Sequence, residues 1–221
     1  GYQDLLKDPH NTIDFDEATD ELIEQRVSQV GADGRLIWDK NGSVYYVNLT
    51  EKLLATMLSK LSNFIPEGGI WMNTQRPEWN DANNALVGYG VSMVTLYYTR
   101  RYQQYLLDLF ANTELEEVAI SEEIEALLGS INSTFEDNKQ LLAGKINDAD
   151  RKRVVDALGE AGSDFRNGVY SNDFSGNRVM LKTADLIAFL KLSLEYIDHT
   201  IEANRREDGL YHAYNLMTAT E

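Results

Sequence analysis

The chain has 221 residues, of which 43% are hydrophobic, so it can bury a core as one large domain or two small ones and is not expected to be disordered. Aspartate and glutamate number 36 against 20 lysines and arginines, and the net charge of −16 disfavours nucleic acid and anionic membranes as partners. Cysteine is absent and the three histidines lack metal-binding spacing, so no disulfide, metal or other cofactor is predicted.

The beginning of the chain predicts a lead-in segment followed by a helix. Residues 1–16 lack helical periodicity, and we interpret them as a segment that crosses the surface of another part of the protein. The start at Gly1, without a signal region, predicts a processed or excised chain and indicates no compartment. No apolar run approaches the roughly 18 to 20 residues that cross a bilayer. From about Glu17 to Val30, apolar residues recur at the spacing of an amphipathic helix.

A small β-hairpin and a second helix are predicted next. Two short β-type runs between residues 35 and 47 flank an Asn-Gly dipeptide, which is typical of a tight hairpin turn. Asn48, with Glu51 three residues later, fits a helix-capping arrangement. The apolar stripe that follows predicts a helix that ends before Pro66.

The rest of the chain predicts a long irregular stretch and then further helices. Residues 65–84 form the irregular stretch, which suggests function because long loops inside compact domains are uncommon. Helices are predicted at about residues 85 or 90–111, 121–143, 148–161 and 183–205. The first of these is apolar around most of its circumference and is expected to be central, whereas the more polar middle pair is expected to be peripheral. The pattern predicts a single all-α (mainly helical) domain over residues 17–221, built from antiparallel helical pairs with one β-hairpin.

Two clusters of aromatic and polar residues fall on predicted loops, at residues 66–84 and 206–215. Sugar recognition needs this combination, because the C–H faces of sugars stack on aromatic rings and their hydroxyls bind carboxylates and amides. The candidate substrate contacts are Arg76, Trp79, Asn80, Asn83, Asn84, Trp71, Tyr211, His212 and Tyr214.

Carboxylate chemistry is the reaction type that these clusters allow. Neither contains a serine, cysteine or histidine triad or a phosphate-binding glycine loop with lysine. Glycoside cleavage needs a carboxylic acid that protonates the leaving oxygen and a second group on the other face of the sugar ring. Glu78, between Pro77 and Trp79, has apolar neighbours of the kind that raise the pKa of a carboxyl, so it is a candidate general acid.

The residues alone leave a structural alternative open for both clusters. Glu78 and Asp81 lie at the start of a predicted helix, where acidic side chains are favourable, and Asn80 or Asp81 can cap it. In the second cluster, Asp208 and the glycine after it are an ordinary helix stop, and the aromatic residues that follow can serve packing.

The run Pro-Glu-Trp-Asn-Asp-Ala-Asn-Asn at residues 77–84 resembles the acid-Trp-Asn-Asp motif of the six-hairpin, (α/α)6-toroid glycosidases and phosphorylases, notably the cellobiose and chitobiose phosphorylase group. The resemblance implies part of an (α/α)6 toroid-like domain with the motif in a loop at the barrel mouth. It implies that Glu78 is the general acid, that Asp81 is a further catalytic or sugar-binding residue, and that Trp79 stacks on the sugar. Residues 211–215 look like another active-site loop of such a protein.

Two departures from the family pattern shape the functional prediction. Position 78 is Glu where the phosphorylases usually have Asp, and 221 residues are too few for a whole toroid. The sequence therefore predicts a fragment of an inverting glycoside hydrolase or phosphorylase, whose partners are an oligosaccharide or glycan and the rest of its own parent chain. The alternative is a non-catalytic helical module that binds glycans or a protein through the same Trp-rich loop. A purely structural helical domain is the third hypothesis.

Overall fold

The computed structural model describes residues 1–9, 15–73 and 85–218, which form a mainly helical protein with two small antiparallel sheets. The helices are α1 (Tyr2–Lys7), α2 (Glu17–Val30), α3 (Leu49–Leu61), α4 (Met93–Ala111), α5 (Glu122–Asp137), α6 (Asp148–Asn172) and α7 (Thr183–Ala203), with 3₁₀ turns at Gly31–Arg35 and Lys139–Ala143. The strands are β1 (Phe64–Ile65), β2 (Gly69–Trp71), β3 (Gly90–Ser92), β4 (Glu117–Ser121), β5 (Arg178–Lys182) and β6 (Tyr214–Leu216). The predicted mainly helical class is confirmed.

Side-chain caps fix the starts of several helices where the sequence indicates them. The Asn48 side chain accepts a hydrogen bond from the backbone N–H of Glu51 at 2.9 Å, and Asn147 accepts one from Asp150 at 2.9 Å. These bonds satisfy backbone donors that the first turn of a helix leaves without partners. The predicted cap at Asn48 is therefore confirmed, although the Glu51 side chain points into the protein interior instead of returning to Asn48.

The predicted hairpin between residues 35 and 47 is present in reduced form. Trp38 and Val44 face each other in an isolated antiparallel bridge. The Asp39 N–H donates to the carbonyl of Ser43 at 2.8 Å, and the Tyr45 N–H donates to that of Ile37 at 2.9 Å. A hairpin this small has little stability of its own, so it depends on its packing against the helices.

Several element boundaries differ from the sequence predictions. The lead-in segment contains the short helix α1, residues 90–92 are a strand instead of helix, and α6 continues to Asn172 instead of ending near residue 161. Strands β1 and β2 occupy part of the stretch predicted as irregular. Strands of two or three residues carry no detectable alternation of polar and apolar residues, so only their partners define them.

The main core lies where α3, α4, α5 and α7 meet. Its fully buried side chains include Leu58, Leu96, Phe135 and Tyr196. The prediction that the middle pair, α5 and α6, is peripheral is wrong, because α6 buries Val154 and Leu158 in this core and α5 contributes five side chains to it. They are Ile124, Leu127, Leu128, Ile131 and Phe135. Acidic residues in the first turn of α5 make its composition more polar than the face that it buries.

The four-stranded sheet has the order β1-β2-β3-β6, and every neighbouring pair is antiparallel. Gly69 has a φ of 127°, and a Cβ there would lie 2.8 Å from the carbonyl oxygen of Ser92, so the close approach of β2 and β3 requires glycine. The second sheet pairs β4 with β5; β4 packs on α3 and α5, and β5 packs on α5 and α7. Within the described residues, no helix has both the length and the apolar character needed to span a bilayer.

Candidate functional site

Most of the predicted sugar-binding residues fall in residues 74–84. The ones concerned are Glu78, Asp81, Arg76, Trp79, Asn80, Asn83 and Asn84, and all of them lie outside the described residues. The structure does describe the chain on both sides of this segment, as well as Trp71, Tyr211, His212 and Tyr214. The residues on both sides of the segment show which elements of the fold it is attached to.

The two ends of the 74–84 segment are attached to neighbouring strands. The Met72 N–H donates to the carbonyl of Gly90 at 2.9 Å, and the Gly88 N–H donates to the carbonyl of Met72 at 2.7 Å. The indole Nε1–H of Trp71 donates to the carbonyl of Gly88 at 2.8 Å. Three hydrogen bonds therefore bring the chain before and after the segment together at one end of β2 and β3.

Trp71 lies in the interior, which does not fit the predicted role as a sugar contact. Its side chain is 4% exposed and packs edge-on against Tyr2, with 6.3 Å between the ring centroids. Ile65 and Val91 complete the second apolar cluster around it. A ring with no accessible face cannot stack on a sugar, so we reassign Trp71 to holding the base of the 74–84 segment.

The sheet joins the second predicted cluster to the first. Asn215 on β6, Val91 on β3 and Trp71 on β2 form one row across the three strands. Tyr214, half-buried, lies in the neighbouring row. The sequence does not predict that β6 pairs with β3, because β6 follows β3 by more than a hundred residues and lies next to it only in the folded chain.

Tyr211 and His212, however, lie at the other end of β3. The Met93 N–H, just after β3, donates to the carbonyl of Ala213 at 3.0 Å, whereas the 74–84 segment is attached at Gly90, just before it. Strands β3 and β6 are antiparallel, so the residues that precede β6 lie beside the residues that follow β3. Tyr211 and His212 therefore lie at the end of the sheet opposite to the described residues that flank the 74–84 segment.

The Tyr211 cluster forms an exposed aromatic surface. Tyr211 is 43% exposed and lies edge-on to Tyr97, with 6.3 Å between ring centroids. The Tyr97 hydroxyl donates to the carbonyl of His212 at 2.8 Å, and burial raises the pKa of this phenol. Asp208 accepts the Leu210 N–H at 3.1 Å, so its carboxylate stabilises a turn.

Glu67, in the turn between β1 and β2, is a buried carboxylate whose role the sequence did not reveal. Its side chain is 10% exposed, and its two carboxylate oxygens accept the Ile146 N–H at 3.0 Å and the Arg151 guanidinium at 2.8 Å. The Nε2 of His199 lies 3.3 Å from the same carboxylate. Arg151 also donates to the carbonyl of Pro66 at 3.0 Å. The turn is thus tied to α6 and α7.

The backbone of the same turn is held from the other side. Thr200 Oγ1 accepts the Glu67 N–H at 3.0 Å, and the Asn204 side chain donates to the Glu67 carbonyl at 2.9 Å. Asn215 donates to the carbonyl of Gly68 at 2.7 Å and to the side-chain oxygen of Asn204 at 2.7 Å. Asn215, part of the second predicted cluster, therefore has a structural position that links β6 to this turn.

The turn also contains unfavourable backbone geometry. Glu67 has a φ of 59°, in the left-handed region that costs an ordinary residue about 1–2 kcal/mol. Such strain persists only where the surroundings hold it in place, and the contacts with Arg151, Thr200 and Asn204 do so. The run Pro-Glu-Gly-Gly at residues 66–69 indicates a turn. The partner of the Glu67 carboxylate, Arg151, is distant in the sequence, so residue spacing cannot identify it.

Among the described residues, no group of three or more histidine, cysteine, aspartate or glutamate side chains is arranged to hold a metal ion. Glu67 is already engaged by Ile146, Arg151 and His199, so its carboxylate serves the turn. A comparison with known proteins finds no family model that matches the sequence and no match among curated proteins.

Proposed function

We propose that the chain is part of an inverting glycoside hydrolase or phosphorylase that acts on an oligosaccharide, with Glu78 as the general acid. The observation that carries this proposal is the run at residues 77–84, which resembles the catalytic motif of the six-hairpin glycosidases and phosphorylases. In this proposal Glu78 protonates the oxygen of the leaving sugar, and water or phosphate attacks the anomeric carbon from the opposite face. Asp81 supports the acid or binds a hydroxyl, and Trp79 stacks on the sugar ring.

The scaffold around the 74–84 segment supports the proposal. Catalytic groups need to be held within a fraction of an ångström, and loops achieve this when rigid elements fix their ends. Strands β2 and β3 hold the flanks of the segment through backbone hydrogen bonds, and the buried Trp71 indole adds a third bond to Gly88. A mainly helical architecture in which α4 packs on α7 and α5 on α6 is also consistent with a domain of helical pairs.

The second candidate function is a non-catalytic module that binds a glycan or a protein. The exposed face of α4 favours it, because Tyr98 and Tyr105 are 68% and 60% exposed and lie on the same side of the helix. Aromatic rings presented in this way are typical of sugar-binding and protein-binding surfaces. This surface lies on the helix that follows β3, so a module that binds through it uses different residues from the Trp-rich loop that the sequence predicts for such a module.

The test measures the release of sugar from defined oligosaccharides, with and without inorganic phosphate, by the full-length protein that contains this chain. We expect Glu78→Gln to lower kcat by at least about a hundredfold with little change in Tm, because loss of a general acid removes about 10²–10⁴-fold in rate. The matched control is Glu125→Gln, an exposed carboxylate on α5, which should leave kcat unchanged.

The pattern of variants separates the candidate functions. Equal rates for Glu78→Gln and the wild-type protein would remove the assignment of the general acid. Saturable sugar binding without turnover, abolished by Tyr105→Ala and unchanged by Glu78→Gln, would instead support the binding module.

A further inference from the structure

A cavity of about 370 Å³ opens between α3, α6 and the residues of the hairpin, away from the sheet that carries the 74–84 segment. This volume lies within the range of small-molecule sites in proteins. Its walls are apolar, and they are formed mainly by Tyr45, Ile124, Phe165, Val169 and Phe174. None of these residues belongs to the site proposed above.

The aromatic walls of the cavity are held in fixed positions. The ring of Tyr45 stacks on that of Phe174 at 4.4 Å with an interplanar angle of 11°, and Phe165 lies edge-on to Phe174 at 6.5 Å. The Tyr45 hydroxyl is hydrogen-bonded to Ser121 Oγ at 2.6 Å, and the Arg178 guanidinium lies 5.0 Å above the Tyr45 ring. These aromatic side chains therefore form one packed, preformed wall of the cavity.

The charge around the cavity is positive at its mouth. Glu51 is the acidic residue of the lining, but it is only 2% exposed, and its carboxylate is neutralised by Arg178 at 2.5 Å. Lys52 and Arg166, both exposed, also line the cavity. Among the described residues, neither of these cations forms an ion pair, and Arg166 donates only to Ser163 Oγ at 3.3 Å.

We propose that this cavity binds a small aromatic anion, with its ring against the apolar lining and its carboxylate or sulfonate at Lys52 and Arg166. A flat ring gains from the burial of apolar surface and from contact with the aromatic side chains of the lining. A sugar is a poorer ligand here, because its hydroxyls would lose their water without finding partners among apolar walls. The proposal is therefore independent of the carbohydrate function.

The test compares three probes that share one ring system and differ in charge: 2-naphthoate, 2-naphthalenemethanol and 2-naphthylmethylammonium. Binding to the whole chain is measured by titration with detection of the methyl NMR signals of Ile124 and Val169, which line the cavity. We expect 2-naphthoate to bind about threefold to tenfold more tightly than the neutral probe, and the cationic probe to bind most weakly. Added salt should reduce the advantage of the anion.

Variants at the mouth and in the lining locate the site. Lys52→Gln and Arg166→Gln should each bring the affinity for 2-naphthoate closer to that for the neutral probe, whereas Lys60→Gln, on the same helix as Lys52 but outside the lining, should change neither. Thr56→Trp should fill the cavity and abolish the binding of all three probes, and because Thr56 is exposed, the protein should still fold.

The same measurements can overturn the proposal. Equal affinities for the anionic and cationic probes would remove the role of the two cations. Unchanged binding of the probes to Thr56→Trp would show that they bind elsewhere. The same conclusion would follow if the methyl NMR signals of Ile124 and Val169 did not change during the titration.

Discussion

Removal of the Glu67 carboxylate should destabilise the protein more than its position in a turn suggests. The carboxylate accepts the Ile146 N–H and an Arg151 guanidinium, and the side chains of Glu67 and Arg151 are 10% and 24% exposed. In Glu67→Ala, Ile146 loses its partner and Arg151 loses an ion pair in a largely dry environment. We therefore expect the free energy of unfolding to fall by about 2–4 kcal/mol.

The expected loss extends below the range of about 3–5 kcal/mol for broken buried ion pairs for a structural reason. Arg151 keeps its hydrogen bonds to the carbonyls of Pro66 at 3.0 Å and Ile146 at 2.9 Å, and it also contacts Asp148. The cation is therefore not left isolated. Glu67→Gln retains an acceptor of the same shape and should cost only about 1–2 kcal/mol.

A third variant separates the side-chain contacts from the backbone strain. Glu67→Gly also loses the carboxylate but relieves the left-handed φ of 59°. It should be about 1 kcal/mol more stable than Glu67→Ala, since the gain from relieved strain is partly offset by the greater flexibility of glycine in the unfolded chain.

Urea unfolding followed by circular dichroism measures these differences, provided that the m-values agree among variants. The matched control is Glu207→Ala, an exposed carboxylate, whose free energy of unfolding should stay within about 0.5 kcal/mol of wild type. If Glu67→Ala and Glu207→Ala lose the same amount, the turn does not depend on the carboxylate. If the glycine variant is the less stable of the two truncations, the backbone is not strained.

Three further outcomes follow from the described contacts. Glu51→Ala should lower the free energy of unfolding by about 2–4 kcal/mol in urea unfolding, because the buried N–H and hydroxyl of Ser121 lose their acceptor; a loss below 1 kcal/mol would contradict this. Trp71→Phe should cost about 1–2 kcal/mol in the same assay, and an unchanged stability would show that the indole hydrogen bond contributes nothing. The Arg153 guanidinium and an Asn147 amide hold the pKa of Asp150 below its ordinary value of 3.8. The stability that the Asp150 carboxylate adds is therefore present above pH 3.8 and is lost as the pH falls through the lower pKa of the folded state. Arg153→Gln should raise the pKa of Asp150 in an NMR titration, and an unchanged pKa would contradict the role of Arg153.

The local signals in the sequence located the helices well. Apolar residues at helical spacing predicted α2 over Glu17–Val30 with the bounds that the structure has, and Asn48 marked the start of α3. These predictions succeed because helical periodicity and N-caps depend on residues only three or four positions apart. The predicted polar character of α5 failed as a guide to its position, because one buried face is enough to place a helix in the core.

The candidate site shows a similar division. The motif at residues 77–84 was identified from its residues alone, and its positions lie outside the described part of the chain. The sequence also singled out Trp71 as a sugar contact, and the fold decided otherwise by packing its ring against Tyr2. An aromatic residue in a loop-like stretch has the same local signature whether it faces solvent or the interior.

By itself, then, the sequence determined the helical class, the starts of α2, α3, α6 and α7, and the segment with the resemblance to glycosidases. Only the tertiary structure decided that the short strands β2, β3 and β6 form one sheet, that Glu51 and Glu67 form ion pairs with Arg178 and Arg151, and that an apolar cavity lies beside α3. The physical reason is the sequence separation of the contacts. Helices form through contacts within one or two turns, whereas these strand pairs, ion pairs and cavity walls join residues far apart in the chain, and the spacing of residues does not identify such partners.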